Sequence, residues 1–556
     1  MKVTQIRQLS IRTLRRMLRE RCFAVPKLQR EFEWNGKRAA ALLDSIYRHM
    51  PIGSILVWEA KPESYYLMRE AVGILPLFNE DNPHGWFLID GQQRLSVIHE
   101  AFEGEVKENS KGRKIDFSRL CFALDSDRDD GDPAHFVYRR KWYRQFVSVK
   151  DVLAADWRRN HKSCTKPLLK RIENCRRRLL GYKVPVVVIH SDDLEEIREV
   201  FLRINSLGMK ISAADHAFAR ATKADLRGLA KKLRAELNAG FSDLDLTVVL
   251  QSFSFVTPER EFNRTPDVGQ RAIEATVKWW ERRIDGDGKE GSFARRWREH
   301  VTAFGKAVEY LHQHFGVHYS GFLPSQNMLA TLTVFFFYHP AAPNARQARE
   351  IRKWFWATGV ALRYSGRGYH KNLVGDVKFF RRLARSGNAR FEFQDRVDRL
   401  DVMRAEYTQR SALVNAFFCM LALRKPRFIE NGEPIPENTY ASRANRRDRH
   451  HIFPRGLLVN SGFAHRDYHT ICNICFIAGE ENKIFGMKRP DSYLADHMKR
   501  RHFARAMKSH LIPYDHGSGL WTKDVPKAYS QFRLARLKLI CGAFEDEAGI
   551  KLFRKG

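Results

Sequence analysis

From Met1 to about Arg220, short unbroken apolar runs alternate with stretches whose apolar residues recur every three or four positions, the pattern of strands feeding helices. Trp86 to Asp90 reads as a short buried strand. Gln92 to Phe102 continues as an amphipathic helix with Leu95, Ile98, Ala101 and Phe102 on one face. A helix carrying Leu42, Leu43 and Ile46 follows Trp34, and Val184 to Ile189 reads as another strand. Asp192, with Glu195 three residues later, has the form of a capping box opening a helix whose Ile197, Val200, Phe201 and Ile204 share a face. Asn205-Ser206-Leu207-Gly208 closes it, because Asn and Gly tolerate a left-handed cap.

Between about Ala221 and Lys425 the strand signals thin out, and amphipathic stretches such as 272–283, 297–315 and 348–362 predict helices. The longest apolar runs, Met328 to Tyr338 and Ala412 to Leu423, fall short of the roughly 18 residues a membrane-spanning helix needs, so no span is predicted. Ile429 to Asn445, rich in Asn, Gly and Pro, is the best linker. At about 100 to 200 residues per domain, the 556 residues leave room for several cores. The pattern predicts an α+β multidomain chain: an α/β domain over 1–220, a helical domain over 221–428 and a third domain over 429–556.

Composition changes the picture in one respect. Lys and Arg number 97 against 64 Asp and Glu, a net charge of +33. So basic a chain repels itself unless a polyanion shares its surface, and nucleic acid is the first suspect. The charge is densest at the end, where residues 441–556 hold 22 Lys and Arg against 11 Asp and Glu. Arg176-Arg177-Arg178 and Arg446-Arg447 are runs of the kind that usually form solvated faces, with phosphate contact as the functional reading. The Arg-rich opening lacks the apolar core and cleavage site of a secretory signal, and reads as a basic helix on a folded domain, with a transit peptide as the other reading. Eight sparse cysteines suit reduced thiols, so the expected location is cytoplasmic. Trp279-Trp280, Trp354 and Trp356 read as helix-packing core, and Arg363-Tyr364 is open to a part in reading DNA.

The last segment carries candidate chemistry. Asp448-Arg449-His450-His451-Ile452-Phe453-Pro454 is followed by Asn473 and then by Asn482. Hydrolysing a phosphodiester needs a base to deprotonate water and a divalent cation to offset charge on the phosphate, and a hairpin followed by a helix can supply both. In that reading His451 is the base, since a neutral imidazole is present near pH 7. His450 and Asn482 ligate one cation, Mg2+ or Mn2+, and Asn473, near a second strand of Ile474, Phe476 and Ile477, holds the loop carrying His451. The alternative is that the histidines are surface residues and the asparagines turn caps. Cys472 and Cys475 read as buried strand residues, because a structural zinc usually takes a second such pair and none exists.

A second constellation lies near the start. Asp90-Gly91-Gln92-Gln93-Arg94 sits where a strand becomes a helix. A glycine there lets backbone approach a ligand, the first N–H groups of the helix face it, and Arg94 adds a forked cation suited to phosphate. Asp90 could hold a cation or polarise a water. The alternative is an Arg and Gln cluster that ties down a loop, with Asp90 as a helix cap.

The C-terminal blocks resemble HNH nucleases of the His-Me finger class, in particular the C-terminal nuclease of GmrSD-type restriction enzymes, down to Asn482-Lys483-Ile484-Phe485-Gly486-Met487-Lys488-Arg489-Pro490 and Tyr493-Leu494. His450 departs from the Asp of many relatives. Val25-Pro26, Gln29-Arg30, Phe32, Trp34, Asp90 to Arg94 and Val200 to Gly208 resemble the N-terminal domain of the same family, related to the ParB/sulfiredoxin fold. The resemblance implies a ββα-metal nuclease at the C-terminus, with Lys483, Lys488 and Arg489 toward DNA. It also implies an N-terminal domain that binds and hydrolyses a nucleoside triphosphate and gates cutting, with Gln29, Arg30, Asp90, Gly91, Gln92, Gln93 and Arg94 as its site. The expected activity is a nucleotide-regulated, metal-dependent DNA endonuclease of type IV restriction character, acting against phage or modified DNA. Homo-oligomers or defence-system partner proteins fit the same picture. The rival readings are a nuclease-inactive DNA-sensing switch and an RNA-cutting HNH toxin.

Overall fold

The computed structural model describes residues 2–26, 29, 32–62, 64, 74–79, 81, 85–108, 114–124, 135–139, 146–207, 214, 217–218, 221, 223–237, 239–257, 270–284, 291–366, 368–406, 411–437, 449–476 and 486–554. Its contacts divide the chain into two compact units, Met1–Leu226 and Arg227–Gly556. The architecture is mixed α+β, with the sheets concentrated in the first unit and helices dominating the second.

The first unit is built on a five-stranded mixed sheet. In chain order its first elements are β1 (Lys2–Ser10), α1 (Ile11–Arg19), β2 (Phe23–Ala24), α2 (Gly36–Tyr47), β3 (Ile55–Ala60), β4 (Gly85–Asp90) and α3 (Gln92–Glu103). A hairpin of β5 (Val106–Glu108) and β6 (Lys114–Asp116) follows, then a small sheet of β7 (Leu120–Ala123), β8 (Phe136–Tyr138) and β9 (Phe146–Ser148). The unit continues with α4 (Lys166–Gly181), β10 (Lys183–His190) and α5 (Leu194–Leu207). The main sheet runs β1-β10-β3-β4-β2, with β10 parallel to β3 and β2 parallel to β4.

Side chains alternate across this sheet, as the two-residue period of a strand requires. Ile55, Val57, Leu88 and Val186 join a core with Leu14, Leu43, Leu95 and Leu179 from α1 to α4. Leu56, Trp58, Phe87 and Ile89 face the other way, onto Ile197 and Phe201 of α5. Two faces are therefore covered, and β4 lies between the helix layers, which explains why Trp86 to Ile89 are all buried.

Two local expectations shift. The basic opening is a strand before it is a helix: β1 pairs antiparallel with β10 at the sheet edge, and only Ile11–Arg19 is helical, capped by Ser10, whose hydroxyl accepts from Thr13 N at 3.1 Å. The helix expected from a cap at Asp192 begins at Leu194, and Asp192 instead pairs with Lys61 at 2.9 Å.

The second unit contains α6 (Leu246–Val256), α7 (Gln270–Glu281), α8 (Ser292–Phe315), α9 (Gln326–Tyr338), α10 (Ala345–Val360), α11 (Tyr369–Ser386) and α12 (Ala412–Leu423). A two-stranded antiparallel hairpin of β11 (Arg449–His451) and β12 (Ile474–Phe476) follows, and α13 (Val525–Ala548) ends it. The two long apolar runs are α9 and α12, buried on every side, as all-round hydrophobic helices are in a large core. Among the described residues no helix is long and apolar enough to cross a membrane.

Trp354 and Trp356 are fully buried. Arg363 and Tyr364 are engaged inside the unit: Arg363 pairs with buried Asp376 at 2.7 Å, and the Tyr364 hydroxyl donates to the same carboxylate at 2.7 Å. The stretch read as a linker opens as a packed turn, since Ile429 and Ile435 are buried and Ile435 N donates to Pro426 O. Phe476 of β12 stacks on Phe322 and Phe418, which places the hairpin against the helices within one unit.

Candidate functional site

In the first unit, β4 ends at Asp90 and α3 begins at Gln92, so Gly91 alone carries the change of direction. Its φ is 95°, a left-handed conformation, and a Cβ there would lie 3.1 Å from Ile55 Cγ1 and 3.2 Å from Ile55 Cα. The N-cap position is Gly91 itself, so α3 opens without a capping side chain of its own at the strand end.

Arg94 is held in a three-way grip. Its Nη1 donates to Ile52 O at 2.9 Å, and its Nη2 donates to Ser54 O at 2.9 Å and to Asp90 Oδ2 at 2.8 Å. The fork thus ties residues 52–54 to the end of β4, and Asp90 serves as its counter-charge rather than as the helix cap. Two of the glutamine candidates also clamp backbone. Gln29 is buried and donates from Nε2 to Leu88 O and Ile89 O at 2.8 and 2.7 Å. Gln93 Oε1 accepts from Glu33 N and Trp34 N at 2.8 and 3.3 Å. Gln29, Asp90, Gly91, Gln92, Gln93 and Arg94 therefore converge on one strand-to-helix junction; Arg30 lies outside the described residues.

Two features of this junction carry no sequence signal of their own. The 51–54 loop borders a cleft of about 570 Å³, lined also by Gln8, His49, Tyr182 and Lys183. Along the inner face of α3, the Gln92 Oε1, Ser96 Oγ and Glu100 Oε1 atoms are buried with no hydrogen-bond partner among the described residues. Burial pushes the Glu100 carboxyl up to about 7, opposed by Lys107, whose Nζ lies 3.7 Å away.

In the second unit, His451 ends β11 directly opposite Ile474, and His450 stands opposite Cys475. Asn473, fully buried, fixes the turn that follows: its Oδ1 accepts from Phe453 N at 2.9 Å, and its Nδ2 donates to Phe453 O and Tyr468 O, both at 3.1 Å. Tyr493, which belongs to the last sequence block, donates from its hydroxyl to Ile452 O at 2.8 Å. His451 is half-buried, and its Nε2 lies 3.3 Å from His469 Nδ1; the His465 ring lies next to His469, with centroids 4.8 Å apart.

Behind the hairpin, Arg536 of α13 is fully buried and donates to four carbonyls: Leu511 O, Cys472 O, Ile474 O and His510 O, at 2.8 to 3.1 Å. Burial lowers its pKa to about 10. Cys472 and Cys475 are both buried, and burial pushes the Cys472 thiol up to about 11. Lys488 is exposed. Arg489 forms a two-pronged pair with Asp491, at 3.0 and 3.1 Å. Asn482, Lys483 and the side chain of His450 lie outside the described residues.

Residues 11–222 match the GmrSD restriction endonuclease N-terminal domain. The matched GmrSD segment runs from α1 past α5 and contains the whole Gly91 junction. Over 536 residues the chain is also 22% identical to uncharacterized protein MJ0686 of Methanocaldococcus jannaschii, covering 85% of this chain and 84% of that one. The GmrSD match ends well before β11, so the His451 hairpin rests on its own geometry and on the sequence blocks already described.

His465 and His469 were missed from sequence, although their four-residue spacing just ahead of Asn473 is that of neighbours on one side of a helical turn. Arg536 gave no signal either, because it is one cation among many in a basic helix.

Proposed function

We propose that this protein is a nucleotide-regulated, metal-dependent DNA endonuclease of type IV restriction character. The observation that carries the nuclease half is the half-buried His451 imidazole at the end of β11, on a turn held by Asn473 and Tyr493. In this reading His451 takes a proton from the attacking water, and His469, within 3.3 Å, sets which ring nitrogen carries the proton beforehand. His450 and Asn482 would hold a divalent cation that offsets charge on the phosphate. The GmrSD match supports a restriction endonuclease, and the net charge of +33 supports DNA as substrate, captured largely through counterion release.

The regulatory half rests on the Gly91 junction, where a helix that opens on a glycine and the loop pinned by Arg94 would receive a triphosphate. Phage or modified DNA is the proposed target, in antiviral defence. Incubating one preparation with plasmid, modified phage DNA and RNA, each with Mg2+ and with or without a triphosphate, tests the proposal. Metal-dependent cutting of DNA that responds to nucleotide supports it. Cutting confined to RNA, or nucleotide-sensitive DNA binding without any cutting, overturns it in favour of a toxin or a sensing switch.

A further inference from the structure

The last turn of α8, the loop after it and the packed turn before β11 bring together two imidazoles and a carboxylate that the nuclease reading does not use. His312 lies in that last turn, and Gly316 then reverses the chain with φ 64°, its N–H bonded to Leu311 O. A Cβ on Gly316 would come 2.8 Å from Cys419 O, so the tight return depends on glycine. The return places His318 Nδ1 at 3.3 Å from His312 Nε2, with the two rings near perpendicular. Glu437 arrives from the other side, delivered by the turn whose Phe428 N donates to Glu433 O and whose Ile429 and Ile435 are buried. Its Oε1 lies 3.3 Å from His312 Nε2 and 2.5 Å from His318 Nδ1.

We propose that His312, His318 and Glu437 form a binding site for one divalent transition-metal ion of the zinc type, distinct from the cation of the nuclease reading. A tetrahedral zinc with bonds of about 2.0 to 2.1 Å sets its ligand atoms about 3.3 Å apart. Two of the three separations already have that value, and all three ligand atoms lie within 4.8 Å of one another. The third has to open by less than about 1 Å. Two imidazole nitrogens with one carboxylate match zinc, whereas magnesium favours a shell of oxygens. The cluster is sheltered on one side and wet on the other, with the His318 side chain 12% exposed and that of Glu437 49% exposed, which leaves the fourth position to water. A bound ion would join the end of α8 to the chain twelve residues before β11.

Equilibrium dialysis of the full chain against zinc chloride, after stripping with a chelator, tests this. The parent should hold one zinc here that a large excess of Mg2+ does not displace. His318→Ala and Glu437→Gln should each weaken it at least about tenfold. The double variant His451→Ala, His469→Ala should retain it, so that zinc caught by the hairpin histidines is told apart. X-ray absorption on the zinc-loaded parent should count two imidazoles. If His318→Ala does not fold, as judged by circular dichroism, the more exposed His312→Gln takes its place. No zinc bound by the parent, parent-like affinity in the cluster variants, or loss of the ion only in the hairpin double variant would each overturn the site. None of these outcomes bears on DNA cutting.

Discussion

Asn473 and Phe453 exchange two hydrogen bonds, Oδ1 accepting from Phe453 N and Nδ2 donating to Phe453 O, across the turn two residues beyond His451. A carboxamide suits this position because it offers donor and acceptor at once at a fully buried position. Asn473→Ala would orphan a buried N–H and two buried carbonyls, for a loss of about 2 to 4 kcal/mol. Asn473→Asp would keep the acceptor and set a carboxylate against Phe453 O and Tyr468 O. Both should raise hydrogen exchange at Ile452 and Phe453; protection equal to the parent's would show that the clamp is dispensable.

Arg536 supplies the hairpin from behind. Arg536→Lys keeps the charge but replaces a planar fork by a single ammonium, which cannot reach four carbonyls on different segments. Faster exchange at Cys472 to Phe476 and around Leu511 is expected, with a destabilisation of about 2 to 4 kcal/mol. The first unit should be unaffected, so its exchange pattern serves as the internal control.

The grip of Arg94 on Ile52, Ser54 and Asp90 predicts that Arg94→Ala frees the 52–54 loop. Exchange at Gly53 and Ser54 should rise, and triphosphate affinity, measured by titration calorimetry, should fall at least about tenfold if the pinned loop shapes the nucleotide site. Unchanged affinity with a freed loop would remove that loop from the site.

Glu100 gives the first unit a pH dependence of definite sign. Its folded pKa, about 7, lies above its ordinary value of 4.5, so the native state holds more protons than the unfolded chain between these values. The protonated carboxyl's contribution is complete below about 4.5 and is lost as pH rises through about 7, up to about 3 kcal/mol. Glu100→Gln should flatten that slope and leave the unit more stable than the parent at pH 8, as followed by local exchange at several pH values. A slope unchanged by the substitution would contradict the assignment.

What the sequence revealed divides along physical lines. The Gly91 turn was legible because a glycine between an apolar run and a helical period has few other uses, and the apolar runs that form α9 and α12 were legible as too short to span a membrane from their length alone. The partners of Arg94 were not, since Ile52 O and Ser54 O are backbone atoms 40 or more residues away and leave no mark on side-chain pattern. β1 was read as helix because it lies at the sheet edge with Arg7 in its run and Ile6 exposed, so no apolar alternation survives to announce a strand. Arg536 was hidden because burial of a cation depends on carbonyls converging from two distant segments, which is a property of tertiary structure only. His469 was within reach, as its spacing to His465 and Asn473 was visible, but nothing local says that a helical turn would set it against His451.

In the proposed nuclease, His451 activates water for phosphodiester hydrolysis. The direct measurement compares supercoiled plasmid cleavage in Mg2+ by the parent and by His451→Ala, with DNA binding followed in parallel by fluorescence anisotropy. The parent should convert the plasmid to nicked or linear forms, while the variant binds DNA with equal affinity and leaves it supercoiled. Cleavage by His451→Ala at the parent rate would contradict the account.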